Sequence, residues 1–116
     1  MESTDPRRGE IWLTAFGAGR RGEPGKHRPA VVLSADGILV GRPDELIVVV
    51  PFSGSVTPSV LRPQIDPSTG IDRTSVAICR GIRGVARSRL LRHIGAVGDE
   101  KMSEIEQALG LTLGIA

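Results

Sequence analysis

The sequence predicts a mainly β domain, a small and partly closed barrel of five to seven short strands followed by one C-terminal helix. Fifteen glycines and eight prolines divide the 116 residues into short segments, and such frequent breaks favour short strands. Most apolar residues between the breaks occur in runs of strand length. Only after residue 98 do apolar residues recur at helical spacing.

Two strands are predicted in the first third of the chain. Residues 9–16 form one apolar run, and a loop rich in glycine and charge follows over residues 17–27. Residues 28–34 form the second run. Pro29 favours extended backbone angles in the residue before it, so we expect Arg28 at the entry of the second strand.

The β-branched run within residues 45–52 predicts a central strand that is buried on both faces. Pro51 has no N–H to donate, so regular pairing is expected to stop near it. Ser53 is therefore expected at a strand end.

The remaining segments predict further strands and the helix. Residues 60–65 suggest an edge strand flanked by prolines; residues 74–80 and 90–97 suggest two more, with an extended or turn segment between them. Asp99 is expected to cap the helix. The apolar stripe expected to pack on the sheet consists of Met102, Ile105, Ala108, Leu109 and Leu113.

Length and composition predict a single domain over residues 9–116, preceded by a flexible tail at residues 1–8. No apolar run reaches the length of a membrane span, and no signal peptide is evident at the N-terminus. Cys79 is the only cysteine, so an intrachain disulfide is impossible. The cytoplasm is the expected location.

Arginine dominates the cationic residues, with 13 of the 15. Its planar fork of donors suits phosphate, although a GC-rich genome also favours arginine. Five arginines lie between residues 80 and 92. They could form a ridge that follows a phosphate backbone, or exposed barrel rims that pair with Asp and Glu.

Several site classes find little support in the sequence. One cysteine and two histidines, His27 and His93, cannot supply a tetrahedral zinc site unless carboxylates help. No calcium loop or phosphate-binding glycine loop is present, and Ser53 lacks the glycine-flanked context of a serine hydrolase. Cys79 fits a core position. Three aromatic residues are too few for an RNA-binding sheet of the base-stacking type.

The loop that ends at Arg28 is the main candidate site. It combines Glu23, Lys26, His27 and Arg28 within six positions. Arginine can stabilise charge that develops on a phosphodiester, and histidine can transfer protons near neutral pH. A solvated, charged hairpin loop is the competing interpretation.

An ordered set of motifs resembles the MazF/PemK toxin family over about residues 7–115. The set comprises Arg-Gly-Glu-Ile-Trp at residues 8–12, His-Arg-Pro followed by Ala-Val-Val-Leu-Ser at 27–34, and Val-Val-Val-Pro-Phe-Ser at 48–53. Arg-Leu-Leu at 89–91, Ile-Gly at 94–95 and the closing helix also match. The resemblance implies an SH3-like barrel of the CcdB/PemK type, a homodimer and sequence-selective, metal-independent cleavage of single-stranded RNA, with mRNA, tRNA and rRNA open as targets.

The resemblance also implies roles for individual residues. Arg28 matches the catalytic arginine, and Ser53 matches a position that usually holds threonine or serine. Glu23 and His27 match loop positions in contact with RNA and are the candidate general bases. The implied reaction is attack of the RNA 2′-hydroxyl on the adjacent phosphorus, which leaves a 2′,3′-cyclic or 3′-phosphate and a 5′-hydroxyl. No cofactor or metal is implied.

Further implied contacts concern RNA and an antitoxin. Lys26, Arg80 and Arg83 are expected to bind RNA. Many relatives carry Gln-Ile-Arg where this chain has Gly81-Ile82-Arg83, with an acidic residue in place of Arg80, so a different target sequence is expected. The partner would be a MazE-like antitoxin with an acidic and apolar tail. Trp12 is expected in the core.

Two other functions remain open on sequence grounds. One is a non-catalytic inhibitor of gyrase resembling CcdB, although such proteins act through a C-terminal tryptophan that residues 110–116 lack. The other is an SH3-like module that binds a peptide.

Overall fold

The computed structural model describes residues 5–17 and 27–115, and within them it contains seven strands and one α-helix. The strands are β1 (Glu10–Ala15), β2 (His27–Val32), β3 (Leu46–Ser53), β4 (Gln64–Ile65), β5 (Ser75–Ala77), β6 (Arg83–Ala86) and β7 (Leu90–Ala96); the helix is α1 (Asp99–Leu113). Short 3-10 turns occupy Asp36–Ile38, Pro67–Thr69, Cys79–Gly81 and Arg87–Arg89. The predicted fold class is confirmed.

All strand pairs are antiparallel, and β3 lies at the centre of the sheet. The order is β4-β5-β3-β2-β1-β7, with β6 also paired to β3. On the side of β3 away from β2, β6 pairs with its first half and β5 with its last two residues. The strongly bent sheet therefore forms a half-barrel that is open between β4 and β7.

Alternate side chains of β3 enter two hydrophobic cores. Ile47 and Val49 pack in one core, which also contains Trp12, and Val50 and Phe52 pack in the other. The second core is covered by α1 through Met102, Ile105 and Ala108. Burial of one large apolar side chain contributes roughly 1.5–3 kcal/mol, so both cores stabilise β3. The predicted burial of this strand on both faces is confirmed.

Pairing of β3 continues for two residues past Pro51 and ends at Ser53. Phe52 and Ser53 continue the ladder with Ala77 and Val76 of β5. The carbonyl of Pro51 accepts a hydrogen bond from the Ile78 N–H at 2.8 Å, where the partner strand changes from β6 to β5. Because Pro51 lies where the partner strand changes, its missing N–H does not interrupt the ladder. The strand β3 therefore continues to Ser53, where it ends as predicted.

The helix differs from the prediction at both ends. Gly98, not Asp99, is the N-cap residue, because its carbonyl already accepts the Met102 N–H at 2.9 Å. Asp99 lies in the first turn, where its negative charge interacts favourably with the positive end of the helix dipole. Leu113 is 53% exposed, so the buried stripe ends one turn earlier.

Three segments after β3 also differ from expectation. Only Gln64–Ile65 of the predicted edge strand at 60–65 is a strand, and the strand predicted at 74–80 is shortened to Ser75–Ala77. Residues 83–86, predicted as extended or turn, form β6 on β3. Each difference follows from pairing with distant residues, which local residue preferences do not report.

Gly95 of β7 is in close contact with the turn at 67–69. A Cβ atom built on Gly95 would lie 1.7 Å from the carbonyl oxygen of Thr69, so only glycine fits. Before β1, Arg8 forms an ion pair with Glu106 of α1 and donates to the Leu33 carbonyl. Among the described residues, no helix combines the length and apolar character needed to cross a membrane.

Candidate active site between β2 and β3

A cavity of about 310 Å³ opens where β2 begins and β3 ends. Its lining comes from the start of β2, from the end of β3 with the loop after it, and from the segment leading into β5. The lining residues are His27, Arg28, Pro29, Phe52, Ser53, Gly54, Ser55, Ile71, Asp72, Arg73 and Ser75. We call it the Arg28–Ser53 cavity.

The register of the central strands explains why Arg28 and Ser53 are neighbours. Ala30 of β2 pairs with Pro51 of β3, and continuing this register by two residues brings Arg28 opposite Ser53. Arg28 is half-buried in β2 beside Thr14 of β1. The backbone before Pro29 is extended, and β3 continues past Pro51. The Arg28 guanidinium and the Ser53 hydroxyl therefore reach the same cavity.

The Ser53 hydroxyl contacts Ser55 in the loop that follows β3. It accepts a hydrogen bond from the Ser55 N–H at 3.3 Å and lies 3.3 Å from the Ser55 hydroxyl. Both contacts are long, so the hydroxyl proton of Ser53 is available to an acceptor in the cavity.

The charges in the cavity suit an anion. Arg28 and Arg73 both line it and form no ion pair with any residue of the described ranges. Asp72 supplies one carboxylate to the lining, and the exposed His27 supplies an imidazole. Two guanidinium groups with several hydroxyl groups can bind phosphate oxygens through charge-assisted hydrogen bonds.

The predicted site residues are only partly brought together. Arg28, Ser53 and His27 line one cavity. Glu23 and Lys26 fall outside the described residues. Sequence reasoning did not select Arg73 or Asp72, because they lie in a surface segment that nothing in the sequence connects to residues 28 and 53.

Arg80 and Arg83 do not line the cavity. Arg80 is exposed in the 3-10 turn at 79–81. Arg83 is exposed on β6 opposite Val49 in the middle of β3, and its guanidinium carbon lies 5.2 Å from the centre of the Phe16 ring. Any contact of these two residues with RNA would therefore lie outside the lining of the Arg28–Ser53 cavity.

The competing interpretation, exposed barrel rims paired with Asp and Glu, does not describe four of the five arginines between residues 80 and 92. Arg80, Arg83, Arg89 and Arg92 form no ion pair with another described residue. The guanidinium carbon of Arg87 lies 5.0 Å from the centre of the Trp12 ring, a cation–π contact. Trp12 itself is 6% exposed, which confirms its expected place in the core.

Cys79 is fully buried, as its sequence pattern predicts. Burial raises the pKa of its thiol to about 11, so the thiol is protonated at neutral pH and is a poor nucleophile. Among residues 5–17 and 27–115, no group of three or more His, Cys, Asp and Glu side chains is arranged to hold a metal ion.

Comparison with known proteins gives concordant matches. A family model described as PemK-like, MazF-like toxin of type II toxin-antitoxin system matches residues 7–113. The chain is 34% identical to Endoribonuclease MazF9 of Mycobacterium tuberculosis, over 94% of this chain and 97% of that protein.

Solved structures show the same fold. MazF of Deinococcus radiodurans superposes with a TM-score of 0.77 at 22% identity and covers 97% of this chain and 99% of its own. An endoribonuclease in complex with its cognate antitoxin, from a mycobacterial species, gives a TM-score of 0.76 at 21% identity, with 96% and 97% covered.

Proposed function

Since the chain belongs to the PemK-like, MazF-like toxin family, we propose that it is the toxin of a type II toxin–antitoxin pair and an endoribonuclease that cuts single-stranded RNA. The reaction takes place in the Arg28–Ser53 cavity. The observation that carries this proposal is that Arg28 and Ser53, from different strands, line the same cavity.

The chemistry needs no external nucleophile. The 2′-hydroxyl oxygen of one nucleotide attacks the phosphorus of its own 3′-phosphodiester, the O2′–P bond forms and the P–O5′ bond breaks. The products are a 2′,3′-cyclic phosphate, which water can open to a 3′-phosphate, and a 5′-hydroxyl. Because the nucleophile belongs to the substrate, no metal-activated water is required.

Arg28 stabilises the negative charge that develops on the phosphorane oxygens. Arginine remains protonated at any working pH, so it acts as a fixed electrostatic donor. Half-burial of Arg28 strengthens this interaction relative to a fully solvated cation. Ser53 donates its hydroxyl proton to a non-bridging oxygen of the same phosphate.

His27 is the group best situated to take the proton of the 2′-hydroxyl. It lines the cavity next to Arg28 and is exposed, and a neutral imidazole nitrogen can accept a proton near neutral pH. The deprotonated 2′-oxygen then attacks, the leaving 5′-oxygen takes a proton from water, and the imidazolium of His27 returns its proton to the solvent. Glu23 is the alternative base.

The proposed partners follow from the family and from the surface. A MazE-like antitoxin with an acidic and apolar tail would neutralise the toxin, in line with related structures described as MazE-MazF. A homodimer would cover exposed apolar side chains such as Val40 and Leu46, which are 71% and 70% exposed. Cellular RNA as substrate places the activity in the cytoplasm.

The proposal is tested by incubating the purified protein with a mixed RNA pool in EDTA and mapping the new ends. We expect discrete cuts that carry 5′-hydroxyl ends and persist in EDTA. RNA that stays intact with and without divalent metal would contradict the proposal, as would 5′-phosphate ends.

A further inference from the structure

Arg73 lies flat against the loop that follows Ser53, at a glycine. A Cβ atom built on Gly54 would lie 2.7 Å from Nε of Arg73 and 3.0 Å from both Cζ and Nη2. Real Cβ atoms essentially never approach a heavy atom so closely, so the guanidinium occupies the space that a side chain at residue 54 would need.

The backbone of Gly54 does not itself require glycine. Gly54 is not among the residues with positive φ, so alanine can adopt its conformation without strain. What the glycine provides is room for the arginine. The absence of a side chain at residue 54 therefore lets the second cation of the Arg28–Ser53 cavity lie directly beside the residue that follows Ser53.

The exposure of Arg73 distinguishes it from Arg28. Arg28 is half-buried between paired strands, whereas Arg73 is exposed and forms no ion pair with another described residue. An RNA strand carries a phosphate at every nucleotide, so a strand with its scissile phosphate at Arg28 brings a second one past the cavity rim. A solvated cation at that rim stabilises bound substrate and transition state alike.

We propose that Arg73 binds an RNA phosphate that flanks the scissile one, and that Gly54 is the positioning residue that lets Arg73 lie there. This inference rests on the proposed ribonuclease function and extends it to a second phosphate subsite. Arg73 accordingly sets the affinity for RNA, and Arg28 sets the rate of cleavage.

The binding test uses a fluorescein-labelled, random-sequence 2′-O-methyl RNA, which cannot be cut by 2′-hydroxyl attack. We expect Arg73→Ala to weaken its binding roughly 5- to 20-fold at low salt, which is typical of a lost charge-assisted hydrogen bond. The slope of log affinity against log salt should fall by about 0.7, the value for one phosphate contact on a single strand. Arg73→Lys should restore part of the affinity, since lysine keeps the charge but not the fork.

Gly54→Ala gives a second test because the three atoms nearest to the added methyl all belong to Arg73. The added methyl displaces the flexible guanidinium, so binding should weaken to a similar degree while the melting temperature stays unchanged. The double variant should bind no more weakly than either single variant, which is the non-additivity expected of two residues in one unit. With a cleavable RNA, both variants should raise KM and leave kcat within about twofold.

Matched controls separate this subsite from general charge effects. Arg42→Ala removes the same charge from an exposed loop that does not line the cavity. Gly37→Ala adds a methyl where no atom lies within 4 Å. Both should bind RNA as the wild type does.

Three results would overturn the inference. They are binding by Arg73→Ala equal to that by Arg42→Ala, additive losses in the Gly54 and Arg73 double variant, and a fall in kcat with KM unchanged. If these occur while the wild type cleaves RNA, the flanking subsite is wrong and the proposed function stands. If the wild type fails to cleave any RNA, the proposed function itself is wrong.

Discussion

Arg28 and Ser53 are far apart in the sequence but line the same cavity, at the adjacent ends of two paired strands. The antiparallel register between β2 and β3 brings them together, and the hydrophobic cores on both faces of β3 hold that register. A slip of one residue would turn each strand's buried side chains to the opposite face. The geometry of the proposed site therefore depends on the packing of the whole half-barrel.

Replacing Arg28 by alanine should lower the single-turnover rate of RNA cleavage by about 10²–10³-fold, because one preorganised donor to the transition state is lost. Arg28→Lys should recover only a small part, since a point charge does not reproduce the bidentate fork. Quench-flow cleavage of a labelled RNA measures both rates. A loss of less than about threefold in Arg28→Ala would argue against its role.

Replacing Ser53 by alanine should slow cleavage by about 10- to 100-fold, which corresponds to one hydrogen bond to a charged group. Ser53→Thr should retain most of the activity because the hydroxyl remains. Stability should change little, since Ser53 is only half-buried and its contacts are long. The comparison of the two variants under identical conditions isolates the hydroxyl; equal losses would instead indicate a packing defect.

His27→Ala should flatten the acid limb of the pH–rate profile for cleavage, because the proposed general base is removed. If the profile of His27→Ala keeps the shape of the wild-type profile, the proton acceptor is another group, and Glu23→Gln becomes the next variant to examine.

Gly95→Ala should destabilise the fold by at least about 3 kcal/mol, because the new methyl would meet backbone that cannot move freely. The nearest atoms are the Thr69 carbonyl oxygen at 1.7 Å and carbon at 2.8 Å. Gly84→Ala is the matched control in β6, where the added Cβ would lie 3.9 Å from the Leu46 Cβ. Urea unfolding should give nearly wild-type stability for Gly84→Ala only.

Cys79 should make stability fall between about pH 9 and pH 11. Burial raises the pKa of its thiol in the folded chain to about 11, so the unfolded chain loses this proton first as the pH rises. The contribution is fully present below the unfolded pKa and is lost as the pH passes the folded pKa, up to about 3 kcal/mol. The free energies of unfolding of the wild type and of Cys79→Ala should therefore approach each other over this range. Parallel curves of free energy against pH would contradict the effect.

The spacing and type of apolar residues predict the central strand and the C-terminal helix. The β-branched run around Val48 forms a strand that is buried on both faces, as its composition predicts. The apolar stripe through Ile105 lies on one face of a helix. The N-cap at Gly98 was missed because a backbone carbonyl, not a side chain, begins the helix. The pairing of the last two residues of β3 with β5 was not predicted, because β5 follows much later in the chain.

The residues of the candidate site were likewise only partly predictable from the sequence. Arg28 and Ser53 were selected through their resemblance to family motifs, and the strand register explains why they are neighbours. Arg73 was not selected, because its relation to Gly54 exists only in three dimensions and neither residue belongs to a motif. The shape of a loop around a cavity is set by tertiary contacts, which short sequence patterns do not encode.

The most direct test compares two synthetic RNAs that span one mapped cleavage site and differ only by a 2′-deoxy group at the scissile nucleotide. In EDTA, the wild-type protein should cut the all-ribose RNA to a 2′,3′-cyclic phosphate and a 5′-hydroxyl and leave the 2′-deoxy RNA intact, and Arg28→Ala should cut neither at a comparable rate. Cleavage of the 2′-deoxy RNA, or undiminished cleavage by Arg28→Ala, would contradict the account.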